Sequence, residues 1–263
     1  TYLDTKAKEI VLNNTLNQLK KFNRDILIVA HSPIPEYIIK KVNYYIYDSD
    51  NSMDKNHTLE NHGPDFWFEN ENFRMDTIIT PHAMAISRVL NLALYFVKHL
   101  GYTFFTFMEP DCVFSEDDMS KFGRITRETI NENKKLFFFK TKPEQFMWLD
   151  SVVYETMFFG GYIDEFLKRF IPPNNQDDWS NLVKNYNKGY CFEYIFYEKF
   201  RQDELEYKIY ERAFNYFKNS KINEFVISEA VGVFYNPKDR LKPTAFIYNH
   251  DHRGRDTRYR III

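Results

Sequence analysis

Three short apolar runs, each stopped by a turn residue or an acid, constrain this chain most: "DILIVA" (25–30), "NYYIYDSDN" (43–51) and "TFFTFM" (103–108). Runs of four to six Ile, Val, Tyr and Phe are too short for an ordinary helix and match strands, the first of them buried on both faces. Helical patterns separate them. Ile10, Leu12, Leu16 and Leu19 recur at helical spacing before the first run, and a short helix near Ile38 to Val42 follows the proline-broken "HSPIPE". Thr80 suits an N-cap and Pro81 a first helical position, with Ala83, Ile86, Leu90, Leu94 and Val97 as the stripe and Gly101 as the stop. The order β-α-β-α-β predicts an α/β sheet of mostly parallel strands, with ligands beyond the strands' carboxyl ends.

Past Ser115 the spacing predicts a short helix near 116–122, a strand at "LFFF" (136–139), another over "VVYETMFFGG" (152–161) and a helix to Phe170. Pro172-Pro173 is the clearest break. Helices are expected around 178–186 and 191–201, then strands at "EFVIS" (224–228), "VGVFY" (231–235) and "TAFIY" (244–248). The polar segment up to Asn72 reads as a loop. There is no internal repeat. The chain reads as a single domain.

Length and composition narrow the class. A chain of 263 residues with 44% apolar and 18% aromatic residues can bury a large core and is not a disordered one. A net charge of −2 argues against a polyanion as main partner, so nucleic acid is not expected. Cys112 and Cys191 are too few for a disulfide framework and read as ordinary thiols. Charged or polar residues interrupt every apolar run well short of a membrane span, and "TYLDTKAKEIV" lacks the apolar core of a signal peptide, so a cytoplasmic protein is expected. The opening on Thr1 and the apolar close "RYRIII" fit a domain cut from a longer chain.

Two acid clusters fall on the expected rim. Glu109 and Asp111 follow the third run, and Asp48 and Asp50 follow the second. Acid-x-acid triplets are common here, with Glu69/Glu71, Glu116/Asp118 and Glu204/Glu206 as others, so spacing alone decides nothing. Carboxylates held at a buried strand's end repel each other and need a cation or a donor. A hard divalent ion bridging to a diphosphate meets that need, while a capping Asp111 and a Glu109 paired with Lys or Arg is the plain alternative. Asp48 and Asp50 suit a ribose hydroxyl or a base N–H, or else a solvated Asx turn.

Taken in order, "ILIVAHSPIP", "YYIYDSDN", "AMAISRVLNLALYFVKHLGYTFFTFMEPD" and "MFFGG" resemble a GT-A type glycosyltransferase over roughly residues 25–200. The resemblance implies a Rossmann-like, mixed but mostly parallel sheet flanked by helices, with an acceptor-side C-terminal portion. It implies that His31, Ser32, Pro33, Asp48 and Asp50 hold the nucleotide and that Arg88 and Asn91 lie near the diphosphate. Glu109-Pro110-Asp111 stands where the family usually has Asp-x-Asp, and implies Mn2+ or Mg2+ on Glu109 and Asp111, Asp111 the more direct ligand. In "YNHDHRGRD", His250 or His252 completes the metal shell, or the pair is solvated, and Arg253 or Arg255 meets phosphate. His57, His62, His82 and His99 lack such spacing and read as structural.

Gly160 and Gly161 of "FFGG" match a segment where missing side chains let a hexose approach, and equally a strand-to-helix turn that needs glycine. Glu193 of "GYCFEYIFYEKF" matches the catalytic base of inverting members, with Glu198 in reserve. Five residues apart on a helix, the two diverge. The expected partners are a nucleotide-diphosphate sugar donor and a glycan or protein acceptor. The competing readings are a non-catalytic carbohydrate-binding module derived from a transferase, and a sugar-phosphate nucleotidyltransferase, which the absence of a Gly-rich basic loop at "HSPIPE" disfavours.

Overall fold

A computed structural model describes residues 6–22, 24–51, 79–109, 116–143, 151–156, 158–185 and 192–211, and the short strands 247–248 and 258–259. Asp111, Cys112, Cys191, His57, His62, His250, His252, Arg253, Arg255 and the expected strands at 224–228 and 231–235 lie outside the described residues, as do the side chains of Thr80, Pro81, His82 and Ala83. The chain divides into two compact units, residues 1–75, 110–119 and 217–263 in one, and 76–109 and 120–216 in the other.

In the first unit, α1 (Lys6–Leu19), β1 (Leu27–Ala30), α2 (Glu36–Ile39) and β2 (Tyr44–Tyr47) follow one another. The strands pair in parallel, Leu27 opposite Tyr44 through Ala30 opposite Tyr47. Leu12 and Leu16 of α1 pack with Ile28, Ala30, Ile34 and Ile38. Leu12 and Leu16 of the expected stripe are buried, with Val11 and Thr15 beside them, whereas Ile10 is 43% exposed. Asn43 pins the strands' amino ends: its Oδ1 accepts from the Ile26 N–H at 2.9 Å and its Nδ2 donates to Asp25 at 2.6 Å. The β8 (Ile247–Tyr248) and β9 (Arg258–Tyr259) strands pair antiparallel.

The second unit is built on five strands. Here α3 (Ile79–His99) leads into β3 (Phe104–Met108), and α4 (Glu116–Asn131), which belongs to this unit from Ser120 on, into β4 (Leu136–Thr141), then β5 (Val153–Tyr154) and β6 (Phe158–Tyr162). The helices α5 (Ile163–Arg169), α6 (Gln176–Val183) and α7 (Phe192–Phe200) follow, and a 3-10 turn (Arg201–Glu206) enters β7 (Tyr207–Glu211). Gly101 ends α3 at φ +87, with its N–H on Lys98 O and that of Tyr102 on Val97 O, the paired bonds of a Schellman cap. The "VVYETMFFGG" run is two strands, not one, because β5 pairs with the end of β4 and β6 with its beginning.

The mostly parallel expectation holds for β1 with β2 and gives way here. β3 pairs antiparallel with β6, β4 pairs antiparallel with β5 and β6, and only β7 joins β4 in parallel. Leu136, Phe137 and Lys140 have partners on both edges, so β4 is central, and Leu136 to Phe139 are fully buried. Aromatic rings fill one face. Phe138 stacks on Tyr154 at 4.6 Å, Phe107 on Phe159 at 4.9 Å, and Phe159 meets Phe196 of α7 edge-on at 5.0 Å. The high aromatic content goes into this core, where Phe166, Phe196, Phe200 and Trp179 are 0% exposed.

Arg169 ties α5 to the 3-10 turn. Its Nη1 donates to Glu165 at 2.7 Å, its Nε to Asp203 at 2.7 Å and its Nη2 to Glu206 at 2.6 Å, and its guanidinium lies over the Tyr207 ring. The hydrogen bonds from Arg169 hold the Asp203 and Glu165 carboxyls below the usual carboxylate range.

Candidate functional site

The carboxyl ends of β1 and β2 carry the expected nucleotide residues. Ala30 and Tyr47 are the last paired residues, and the Asp48 N–H extends the ladder by donating to Ala30 O at 2.8 Å. His31 and Asp48 therefore leave the sheet side by side. His31, Ser32 and Asp48 are buried, whereas Pro33 and Asp50 are exposed. Asn51 joins them, fully buried, a residue that the "DSDN" pattern had presented as part of a solvated turn. Four buried polar side chains beyond the ends of parallel strands occupy the position where such sheets bind ligands. An open basin of about 610 Å3, lined by Lys20, Arg24, Asp25, Lys40, Lys41 and Asn43, lies at the opposite, amino ends of these strands.

In the second unit, Glu109 is the half-buried residue that leaves β3. Phe105 meets Phe166 of α5 and Phe107 stacks on Phe159, so odd-numbered positions of β3 share the face that α5 and α7 cover. Glu109 is the next position in that alternation. Phe158 stands opposite Met108 in the β3–β6 register. The chain entering β6, which carries Thr156, and the chain leaving β3, which carries Glu109, thus meet at one end of the sheet.

Thr156 is 4% exposed and donates from Oγ1 to Glu193 Oε1 at 3.1 Å. Glu193 stands in the first turn of α7, where a carboxylate also faces the positive end of the helix. Glu198 points elsewhere, paired with Arg201 at 3.2 Å. Tyr154 anchors β5: its hydroxyl donates to Glu204, which also accepts from Lys140 at 2.6 Å. Burial, reinforced by Glu204, pushes the Tyr154 phenol far above its ordinary range, so it stays a neutral donor. Burial works against Glu204 ionising, and the Lys140 and Tyr154 donors outweigh it. Glu155, which the sequence reading passed over, accepts from Thr141 Oγ1.

Arg88 and Asn91 are engaged with the chain itself. Asn91 Nδ2 donates to Pro172 O at 2.6 Å, Ser87 Oγ to Pro173 O at 3.0 Å and Arg88 Nη1 to Asn174 O at 3.4 Å, so one face of α3 clamps three successive carbonyls. Gly160 and Gly161 lie inside the sheet, opposite Thr106 and Phe105 on one edge and Phe137 and Leu136 on the other. The room a Cβ would take on Gly161 holds the Lys135 carbonyl, 2.4 Å away, and its φ of +142 favours glycine.

Carboxylate oxygens such as that of Glu109 suit a hard divalent cation. Among the described residues no group of three or more His, Cys, Asp or Glu is arranged to hold one. Among the same residues no helix is long and apolar enough to cross a membrane.

No family model matches the chain, and no curated protein matches it. Among solved structures, the chain is similar to core-mannan synthase A from Aspergillus fumigatus in its Mn/GDP form, at a TM-score of 0.41 and 12% identity, over 77% of this chain and 69% of that one. A likeness at that level identifies neither substrate nor activity.

Proposed function

We propose that the chain is a nucleotide-sugar-dependent glycosyltransferase of GT-A architecture, which transfers a hexose-type sugar to a hydroxyl of a glycan or protein acceptor with help from Mn2+ or Mg2+. The observation that carries this reading is that Glu109, on the chain leaving β3, and Thr156, on the chain entering β6 and bonded to Glu193, belong to the same end of the larger sheet. A metal-side carboxylate and a held carboxylate base are the two charges such a transfer needs. The buried polar group at the ends of β1 and β2 supports a nucleotide subsite.

In this reading Asp48 accepts from a ribose hydroxyl or base N–H, with His31 and Ser32 beside it and Pro33 and Asp50 on the exposed rim. Glu109 and Asp111, with His250 or His252, would hold the cation, and a bound cation would supply positive charge against the leaving diphosphate. Glu193 takes the proton of the acceptor hydroxyl. That oxygen forms its bond to the anomeric carbon as the bond from this carbon to the diphosphate breaks, its electron pair leaving with the nucleoside diphosphate. A single displacement of this kind would invert the anomeric carbon.

Calorimetric and thermal-shift panels of nucleotide sugars, with and without Mn2+, test the proposal. A donor at about 100 times its dissociation constant stabilises the fold by about 2.7 kcal/mol, and Asp111→Asn abolishes metal-dependent donor turnover. A flat nucleotide panel, with glycan binding indifferent to EDTA, would replace the enzyme by a carbohydrate-binding module.

A further inference from the structure

We propose that the open basin at the amino ends of β1 and β2 is a binding site for a multiply charged phosphate anion, separate from the candidate nucleotide site and independent of the transferase reading. Its lining sets four cations, Lys20, Arg24, Lys40 and Lys41, against one carboxylate, Asp25. The whole chain carries 37 acids against 35 Lys and Arg, so positive charge gathered in one place is a local arrangement and not a bulk excess. A volume of about 610 Å3 suits a small ligand. Ligand pockets of that size are mostly apolar, whereas this one is cationic, and its occupant is therefore an anion.

The topology gathers these cations. α1 ends at Leu19 and α2 at Ile39, each shortly before a strand begins, so the residues beyond both helix ends fall on the amino side of the sheet. Lysines at helix carboxyl ends offset the negative end of the helix dipole, which is reason enough for Lys20 and Lys40. It does not account for Arg24, on the chain between α1 and β1, or for the way Lys41 is held. The Lys41 ammonium donates to Asn13 and, at 2.8 Å, to Asn17, both on α1. Two neutral amide oxygens orient this charge without cancelling it. Lys40 pairs with Glu36 at 2.7 Å, but their side chains are 71% and 79% exposed, so water weakens the pair and a phosphate can compete for the lysine.

Phosphate chemistry matches such a set of donors. The guanidinium of Arg24 offers a planar fork to two phosphate oxygens, and the lysines act as point charges around it. Chloride or a single carboxylate meets one of these cations, whereas a di- or triphosphate, or a sugar bearing two phosphates, meets several at once. Four residues of β1, roughly 13 Å of extended chain, lie between the basin and the His31 and Asp48 end, so one small anion does not reach both.

The test is calorimetric titration of the full chain with sodium tripolyphosphate in EDTA, which keeps divalent metal from drawing phosphate to the carboxylates. One molecule is expected to bind per chain, less tightly as NaCl is raised. Lys20→Met/Arg24→Met should weaken binding roughly tenfold or more. Lys168→Met, which removes an exposed charge in the other unit, should leave it unchanged. Melting curves check that each variant folds, and Lys20→Met alone, on an exposed side chain, should still weaken binding about threefold and decides the matter if the double variant does not fold. Flotation with phosphatidylcholine vesicles, with and without phosphatidic acid, tells the sources apart. Capture by the phosphatidic acid vesicles, lost in the double variant, supports the site with a lipid headgroup as its source, and tripolyphosphate binding without capture supports it with a soluble phosphate ester. Binding of neither probe, binding that the Lys20 and Arg24 variants retain in full, or an equal loss in Lys168→Met overturns the site.

Discussion

A Cβ on Gly160 would stand 2.3 Å from the carbonyl oxygen of Phe105, the residue before its strand partner Thr106, and 2.8 Å from the ring of Phe137. The glycine is what lets β6 lie between β3 and β4. Gly160→Ala should therefore destabilise the fold by about 3 kcal/mol, the upper range for overpacking, in urea unfolding. A variant as stable as the wild type, but impaired in sugar transfer, would return this glycine to the substrate.

Asn91→Ala should cost about 1–2 kcal/mol, because it leaves the buried Pro172 carbonyl without its donor. Arg88→Ala should cost less, its bond to Asn174 being longer at 3.4 Å. Denaturant midpoints check the order. Equal stability of Asn91→Ala and wild type would mean that the clamp is dispensable and would free this side chain for the diphosphate.

Acid should loosen the second unit through Arg169. Glu165 and Asp203 have folded pKa values below their unfolded ones, so their contribution is complete above the unfolded values, near pH 4, and is lost as pH falls through the folded values. Melting temperature should fall more steeply below about pH 4 in the wild type than in Arg169→Met, which is already less stable at neutral pH. Parallel curves would show that Arg169 does not set the acid limb.

Glu193→Gln and Glu155→Gln separate two threonine-held carboxylates. Loss of Glu193 should reduce transfer by about a hundredfold or more, within the range of general-base removal. Loss of Glu155 should leave the donor KM and transfer close to wild type. Radiolabelled transfer to a simple hydroxyl acceptor reads both, and the reverse result would move the base to the other carboxylate.

Removal of divalent metal by EDTA should abolish transfer, and Mn2+ should restore it in the wild type but not in Asp111→Asn. Glu109→Asp should retain measurable activity, since the shorter carboxylate keeps the oxygen donor. Full activity in EDTA would dismiss the cation.

Much of the skeleton was legible in single runs of residues. Leu27–Ala30, Tyr44–Tyr47, Phe104–Met108 and the Leu136–Phe139 run announce themselves as strands because they are apolar throughout. Their direction of pairing was not legible, since an apolar run carries no sign of which edge it will meet, and β3 found β6 rather than a parallel neighbour. On α1, Leu12 and Leu16 are buried as their spacing predicts, but Val11 rather than Ile10 joins them, because the two are equally apolar and only the packed core chooses between them. At the site, His31, Ser32 and Asp48 could be read from strand ends. Thr156 and Asn51 could not, because each becomes informative only when burial is known. Arg88 and Asn91 suit a diphosphate by residue type, and both donate to carbonyls of the Pro172–Asn174 segment, which is far away in sequence.

β7 is the strand that composition concealed, its "YKIYE" too charged to stand out, yet it seals one whole edge of β4 from Leu136 to Lys140. Until those late residues have been made, the most apolar strand of the chain, "LFFF", presents an open row of N–H and C=O groups. Such an edge invites pairing with another molecule. The order of synthesis therefore leaves a window of aggregation risk, and a chain cut before Tyr207 should collect in inclusion bodies while one that includes Glu211 stays in solution.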